Sequence, residues 1–399
     1  MQWVDEAVTL DALVGVAKVF CFRAVPVSVW VTLRSGTLWR VRVGAGLVTA
    51  AIVAASVRWQ LVPITSIAFA YGYFGLSSCC LLPLVSMLRE WRASSGAVFA
   101  ICAAVFLVAP GLYASPVAKV PIALLGWDLM LSGYSYCIER SKALAPVKLS
   151  ELEEYLFFML VNPVLVYTNR GCRSAERLPN VRAFGRTAVG FLEVFLASAV
   201  FVPLGAFLLR RIGPTWGGIH RGGELAGIAF AGFFAEYLRQ TGVADFQTGL
   251  LRQVGYRVPE RFARPLSASG PLEFWRRWNI YVGEWIQRYV FWPTSLRAGR
   301  MRSEHSTHWA MVFGVIVAFV AIGALHDAYP YLLGQRAGRG LVAFTAAGLV
   351  AIAWAGVQRW METRDSVALS RRGLAWVAPV ASRGLFWAST LALFFWWRQ

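Results

Sequence analysis

Stretch after stretch of this 399-residue chain approaches the ~20 apolar residues that cross a bilayer. They fall at residues 10–33, 43–57, 61–88, 95–113, 116–138, 191–209, 224–238, 309–325, 341–357 and 373–397. A shorter run, 155–167, carries Asn162-Pro163 at its centre and is expected to be re-entrant or buried against protein. In lipid every backbone polar group must be satisfied within its own segment, so the pattern confines the chain to an all-α, multi-pass membrane protein. About ten or eleven membrane segments are expected. No Ser- or Gly-rich linker and no internal repeat divides them, which predicts one domain over 1–399. A hydrophobic fraction of 57% and 18 tryptophans lie outside the range of a soluble domain.

The formal net charge is +18, nearly all of it from arginine. In a soluble protein that balance would suggest nucleic acid. Here the arginines cluster between apolar segments, at Arg34, Arg40 and Arg42, at Arg170, Arg173 and Arg177, at Arg297, Arg300 and Arg302, and at Arg371 and Arg372. Basic loops are what the positive-inside rule produces, so the charge reports topology and anionic lipid, and nucleic acid is not an expected partner. The loops 170–186 and 297–302 are expected on the cytoplasmic side.

Six cysteines are present, with no CxxC or Cys/His metal spacing. They read as small core residues, and no metal site is expected. The N-terminus carries Asp5 and Glu6 where a secretory signal would be basic, so no cleaved leader is expected.

The segment 271–293, PLEFWRRWNIYVGEWIQRYVFWP, is dense in aromatic and basic residues. Trp278, Trp285 and Trp292 are seven apart, with Phe274, Tyr281 and Tyr289 at spacings of three or four. That predicts one helix with an aromatic face, suited to the membrane–water boundary. Asn279 lies within it and needs a hydrogen-bond partner if buried. An anchoring helix without chemistry has the same composition.

Only four histidines occur: His220, His305, His308 and His326. The first three lie in polar, arginine-containing stretches and are expected to be solvated. His326 closes the uncharged run 309–325, and an ionisable group there is a functional candidate by default. The alternative is an interfacial histidine bonded to a carbonyl. Glu236, inside the stretch 224–238, is a second ionisable group within an apolar surrounding.

Several of these residues fall into a familiar order. The run 245–293 contains Asp245, Gly249, Gly255, Pro259, Phe262 and Pro265, followed by Phe274-Trp275-Arg276-Arg277-Trp278-Asn279. It resembles the membrane-bound O-acyltransferase family, and within it the bacterial branch of alginate O-acetyltransferases and teichoic acid D-alanyl transferases. Residues 126–140 and 154–167 are similar to two further segments of that family. Gly323-Ala324-Leu325-His326 stands where the family has the motif ending in its catalytic histidine. The matches run in order from about residue 120 to 360. Three positions depart: Asn279 replaces the usual histidine, as in the sterol and diacylglycerol acyltransferase branches, Asp327 replaces a glycine, and Asn162-Pro163 replaces Gly-Pro.

The resemblance implies a ring of tilted helices around a central tunnel in a bacterial cytoplasmic membrane. A thioester donor, acyl-CoA or an acyl-carrier protein, would act as co-substrate with no permanently bound cofactor. The acceptor would be a hydroxyl of an envelope or secreted glycan, with a periplasmic partner protein possible. His326 would be the general base and Asn279 a hydrogen-bond donor to the carbonyl. Trp275, Arg276, Arg277, Trp278 and Asp245 would bind substrate, the arginines by contacts to coenzyme A phosphates. A lipid or secondary-metabolite hydroxyl is the variant that Asn279 makes credible. A transporter would show paired charges within spans or matched broken helices in two halves, and neither is evident. A catalytically dead scaffold would lack His326.

Overall fold

The computed structural model describes residues 84–85, 88, 94–108, 116–142, 164–167, 181–212, 222–253, 255–300, 307–332 and 337–364. The segments expected at 10–33, 43–57 and 373–397, with Asn162-Pro163, His220 and His305, lie outside them. The described residues are nearly all helical, with no strand among them. They fall into two compact units, the first formed by the chain up to Phe207 with Phe234–Glu260, the second by Leu208–Phe233 with the chain from Arg261 onward.

In the first unit, α1 (Ser95–Ala103) begins where the Ser94 hydroxyl accepts the Ala97 N–H at 3.2 Å, and continues into a π-turn, Ala104–Val108. It packs on α2 (Pro116–Lys142), whose Gly126 lies so close to Phe106 that a Cβ would stand 2.1 Å from the Phe106 carbonyl oxygen. Cys102 and Cys137 are buried in these helices, as small core residues. Next come α3 (Val181–Leu196), a π-turn (Ala197–Phe201) and α4 (Val202–Ile212), then the long α5 (Gly222–Gln253); of these, Leu208–Ile212 and Gly222–Phe233 belong to the second unit.

Glycines set how closely α3 and α5 approach. A Cβ on Gly242 would meet the Gly190 carbonyl oxygen at 2.7 Å, and one on Gly249 would meet the Thr187 nitrogen at 2.7 Å. Gly242 and Gly249 are two helical turns apart, so they share one face of α5 and let the backbones touch. Phe191 and Phe246 close the gap edge to face, with ring centres 4.8 Å apart.

In the second unit, α6 (Pro271–Arg277), α7 (Ile280–Ile286), a π-turn (Gln287–Phe291) and α8 (Trp292–Arg300) lead to α9 (Thr307–Leu332) and α10 (Arg339–Arg364). The last two run antiparallel: Gly348 takes the Phe319 ring against its backbone, while Gly323 lies against Leu341. At this second point a Cβ on Gly323 would stand 2.7 Å from the Leu341 Cα.

Three described segments are long and apolar enough to cross a membrane: Arg182–Leu208, His308–Ala328 and Arg339–Val357. They coincide with the stretches expected at 191–209, 309–325 and 341–357. Phe184, Leu192, Phe195 and Phe207 stand exposed on the first, a surface suited to hydrocarbon. This is a helical membrane protein.

Three local expectations are corrected. Segment 271–293 is not one helix; it breaks at Trp278–Asn279, where Asn279 adopts the left-handed conformation (φ 42°, ψ 61°). No common tryptophan face survives: Trp285 is buried, whereas Trp292 is 43% exposed. The stretch 170–186 is not wholly a loop, since Arg182 and Arg186 belong to α3. Arg297 and Arg300 likewise close α8, and His308 lies in the first turn of α9.

Candidate functional site

His326 sits half-buried on α9, six residues before its end. Its Nδ1 lies 2.8 Å from the Ile322 carbonyl oxygen, one turn back on the same helix. A carbonyl only accepts, so Nδ1 carries the hydrogen. In the neutral ring the lone pair is then on Nε2, the nitrogen a general base uses. The ring packs against Phe344 of α10, centre to centre 4.3 Å. Phe344 in turn meets Trp275 at 5.6 Å, and Trp275 meets Phe319 of α9 edge-on at 5.6 Å. The aromatic chain His326–Phe344–Trp275 thus joins the histidine to the Phe-Trp-Arg-Arg-Trp-Asn segment inside one unit.

Asp327, the residue found where the family has glycine, has a structural explanation. Its two carboxylate oxygens accept the Gly340 and Leu341 N–H groups, each at 2.8 Å. These are among the unpaired donors at the start of α10, where the helix dipole also favours a negative charge. Asp327 therefore ties α10 to α9 beside His326. Gly340 fits only without a side chain: its Cβ would be 2.8 Å from Asp327 Oδ1, 3.0 Å from the Gly323 oxygen and 3.1 Å from the His326 Cβ. Gly340→Ala is expected to lower stability by about 1–3 kcal/mol through this crowding, read as a reduced unfolding temperature.

Asn279 is positioned by the helix break. Its carbonyl accepts the Val282 and Gly283 N–H groups at 3.0 and 3.1 Å, which starts α7. Its side chain takes no part in that cap. Instead Oδ1 accepts from Arg261 Nε at 3.0 Å. Asparagine and histidine are two of the few residue types that tolerate the left-handed region, and they are also the two found at this place in the family motif. Trp278, just before the break, stacks on Phe274 and meets Phe262 edge-on, both at 5.3 Å.

Arg277 is turned to the preceding loop. Its Nη1 donates to Ser267 Oγ at 2.6 Å, and its guanidinium pairs with Glu273. Glu273 also accepts the Ser269 N–H at 2.7 Å and the Ser269 hydroxyl, and those bonds hold its carboxylate below the ordinary range. Pro271 and Glu273 make a normal helix start. Arg276 is exposed.

Asp245 belongs to the first unit. It pairs with Arg186 at 3.0 Å; Arg186 also pairs with Glu260, whose other oxygen accepts from Arg252 Nη1 at 2.8 Å. Two guanidiniums and two carboxylates balance one another here. Burial pushes the Asp245 carboxyl up to about 6, although the neighbouring Arg186 pulls it down. Glu236 is answered on its own helix by Arg239 and by Gln240, whose Nε2 donates at 2.6 Å. His308 is exposed and accepts from Arg359 at 3.2 Å.

Sequence reasoning did not single out Arg261, Arg186, Glu260 or Gly340. Arg261 lies in the motif run between Pro259 and Phe262, and that position was its only signal.

No family model matches the chain. Among curated proteins it is similar to the probable alginate O-acetylase of Pseudomonas syringae pv. tomato, 25% identical over 180 residues, covering 42% of this chain and 33% of the relative. The probable alginate O-acetylase of Pseudomonas fluorescens is 24% identical over 180 residues, 42% of this chain and 35% of that protein. The teichoic acid D-alanyltransferase of Bacillus subtilis is 27% identical over 94 residues, 22% of each chain. The matches span about a third of the alginate O-acetylases' length.

Proposed function

We propose that this protein, a relative of the membrane-bound O-acyltransferase family, moves an acetyl or other short acyl group from a thioester to a hydroxyl of an envelope or secreted glycan. The donor is acyl-CoA or an acyl-carrier thioester. The protein works in the bacterial cytoplasmic membrane as a single acyltransferase domain of about ten or eleven segments, its tilted helices ringing a tunnel. A periplasmic partner would deliver or receive the glycan.

The observation that carries this reading is the Nδ1–Ile322 bond of 2.8 Å on a membrane-spanning helix, which leaves Nε2 as the basic nitrogen of neutral His326. Nε2 takes the acceptor's hydroxyl proton while the oxygen attacks the thioester carbonyl. The Asn279 amide donates to the oxyanion that forms. Collapse of this intermediate makes the ester and expels the thiolate, which recovers the proton from the imidazolium. No covalent acyl-enzyme is required. Trp275 and Trp278 wall the site, Arg276 and Arg277 attract the donor's phosphates, and Asp245, paired with Arg186, ties α5 to α3.

The test is a transfer assay with purified protein in lipid nanodiscs, acetyl-CoA carrying a labelled acetyl group, and a glycan extract. Thiol release matched by base-labile label in the glycan is the expected result. Label in extracted lipid would move the acceptor to a lipid hydroxyl and leave the chemistry standing. Thiol release no faster than the protein-free blank, with coenzyme A and carrier thioesters alike, would overturn the reading.

A further inference from the structure

We infer that Arg261 is a positioning residue for the transfer reaction: it fixes which end of the Asn279 side-chain amide faces the substrate. This deepens the function proposed above and rests on it. The break between α6 and α7 is held from outside by the segment 261–263. The Arg261 carbonyl accepts the Ile280 N–H at 2.8 Å, and the Ala263 N–H donates to the Arg277 carbonyl at 3.0 Å. These two backbone bonds flank Trp278 and Asn279 on either side, so Arg261 keeps its place next to Asn279 whatever its side chain does.

The side chain adds direction. An amide's oxygen and nitrogen ends have nearly the same shape, so a free asparagine turns over at little cost. Arginine has donors and no acceptor, so the Nε–H contact at 3.0 Å holds Oδ1 toward Arg261. The NH₂ end is then turned away from Arg261. A reversed amide would present its oxygen to an oxyanion, and attraction would become repulsion. The guanidinium charge also polarises the amide it grips, which makes the N–H a better donor. Asn279 makes no side-chain cap that competes for Oδ1. Lysine would place a point charge there without the planar Nε–H.

The experiment is a mutant cycle in the labelled-acetyl assay, with kcat, donor KM and unfolding temperature measured for Arg261→Ala, Asn279→Ala and the double variant. Removing a well-placed donor typically costs about 10²–10³ in kcat, so Asn279→Ala is expected in that range. Arg261→Ala is expected to lower kcat about 10-fold or more with donor KM within about 3-fold, because the interaction matters in the transition state. The double variant should be no slower than Asn279→Ala, since an absent amide needs no orientation. If Arg261→Ala does not fold, Arg261→Lys takes its place in the cycle. Full turnover by the Arg261 variant beside an impaired Asn279→Ala overturns the inference alone, as does multiplication of the two losses in the double variant. Full turnover by Asn279→Ala removes the donor role of Asn279, and the inference falls with it.

Discussion

Replacing His326 with alanine is expected to slow acyl transfer by about 10²–10⁴-fold, the range lost with a general base. The unfolding temperature should change little, because the ring is only half-buried on a helix whose packing is set by Gly323, Gly340 and Asp327. His326→Gln separates the two ring nitrogens. Its amide can still donate near the Ile322 carbonyl, as Nδ1 does at 2.8 Å, but it cannot take a proton. Turnover by the glutamine variant should therefore be as low as that of alanine. A purely structural histidine would be largely replaced by glutamine and would show no such loss.

Replacing Asn279 with alanine is expected to slow transfer by about 10²–10³-fold, through loss of one donor to the developing oxyanion. Aspartate is the sharper probe. It tolerates the left-handed backbone that Asn279 adopts at φ 42°, and it would pair with Arg261 where Oδ1 now accepts at 3.0 Å. The helix break should survive, and the ionised side chain would have no donor left. Asn279→Asp is thus expected to fold like the native chain and to turn over no faster than Asn279→Ala. A β-branched residue such as valine would add backbone strain of about 1–2 kcal/mol, mixing stability with rate. Alanine carries part of the same strain, so aspartate is the variant that separates rate from fold.

The spans were legible because hydrophobic length survives every detail of packing. The runs at 309–325 and 341–357 correspond to His308–Ala328 and Arg339–Val357 within a few residues. His326 stood out for the same reason, as the first ionisable group after an uncharged run. The break at Trp278–Asn279 was not legible. The stretch Trp275–Trp285 has its only glycine at Gly283 and no proline, and its aromatic spacing fits an unbroken helix. The break is held by backbone bonds from Ile280 to Arg261 and from Ala263 to Arg277, and local propensity is silent about partners so far along the chain. Arg186 was hidden for a similar reason. Counted among loop arginines, it pairs with Glu260, 74 residues away. Asp327 was visible as a departure from the motif, but its purpose needs the start of α10, 13 residues on.

The central claim is that a neutral imidazole at position 326 takes the acceptor's proton. Adding imidazole to purified His326→Ala protein during transfer, over a range of pH, tests it most directly. Turnover should begin low and rise in proportion to the free-base fraction of the added imidazole, which leaves the wild-type rate at each pH unchanged. Wild-type turnover by His326→Ala with no base added would contradict the account.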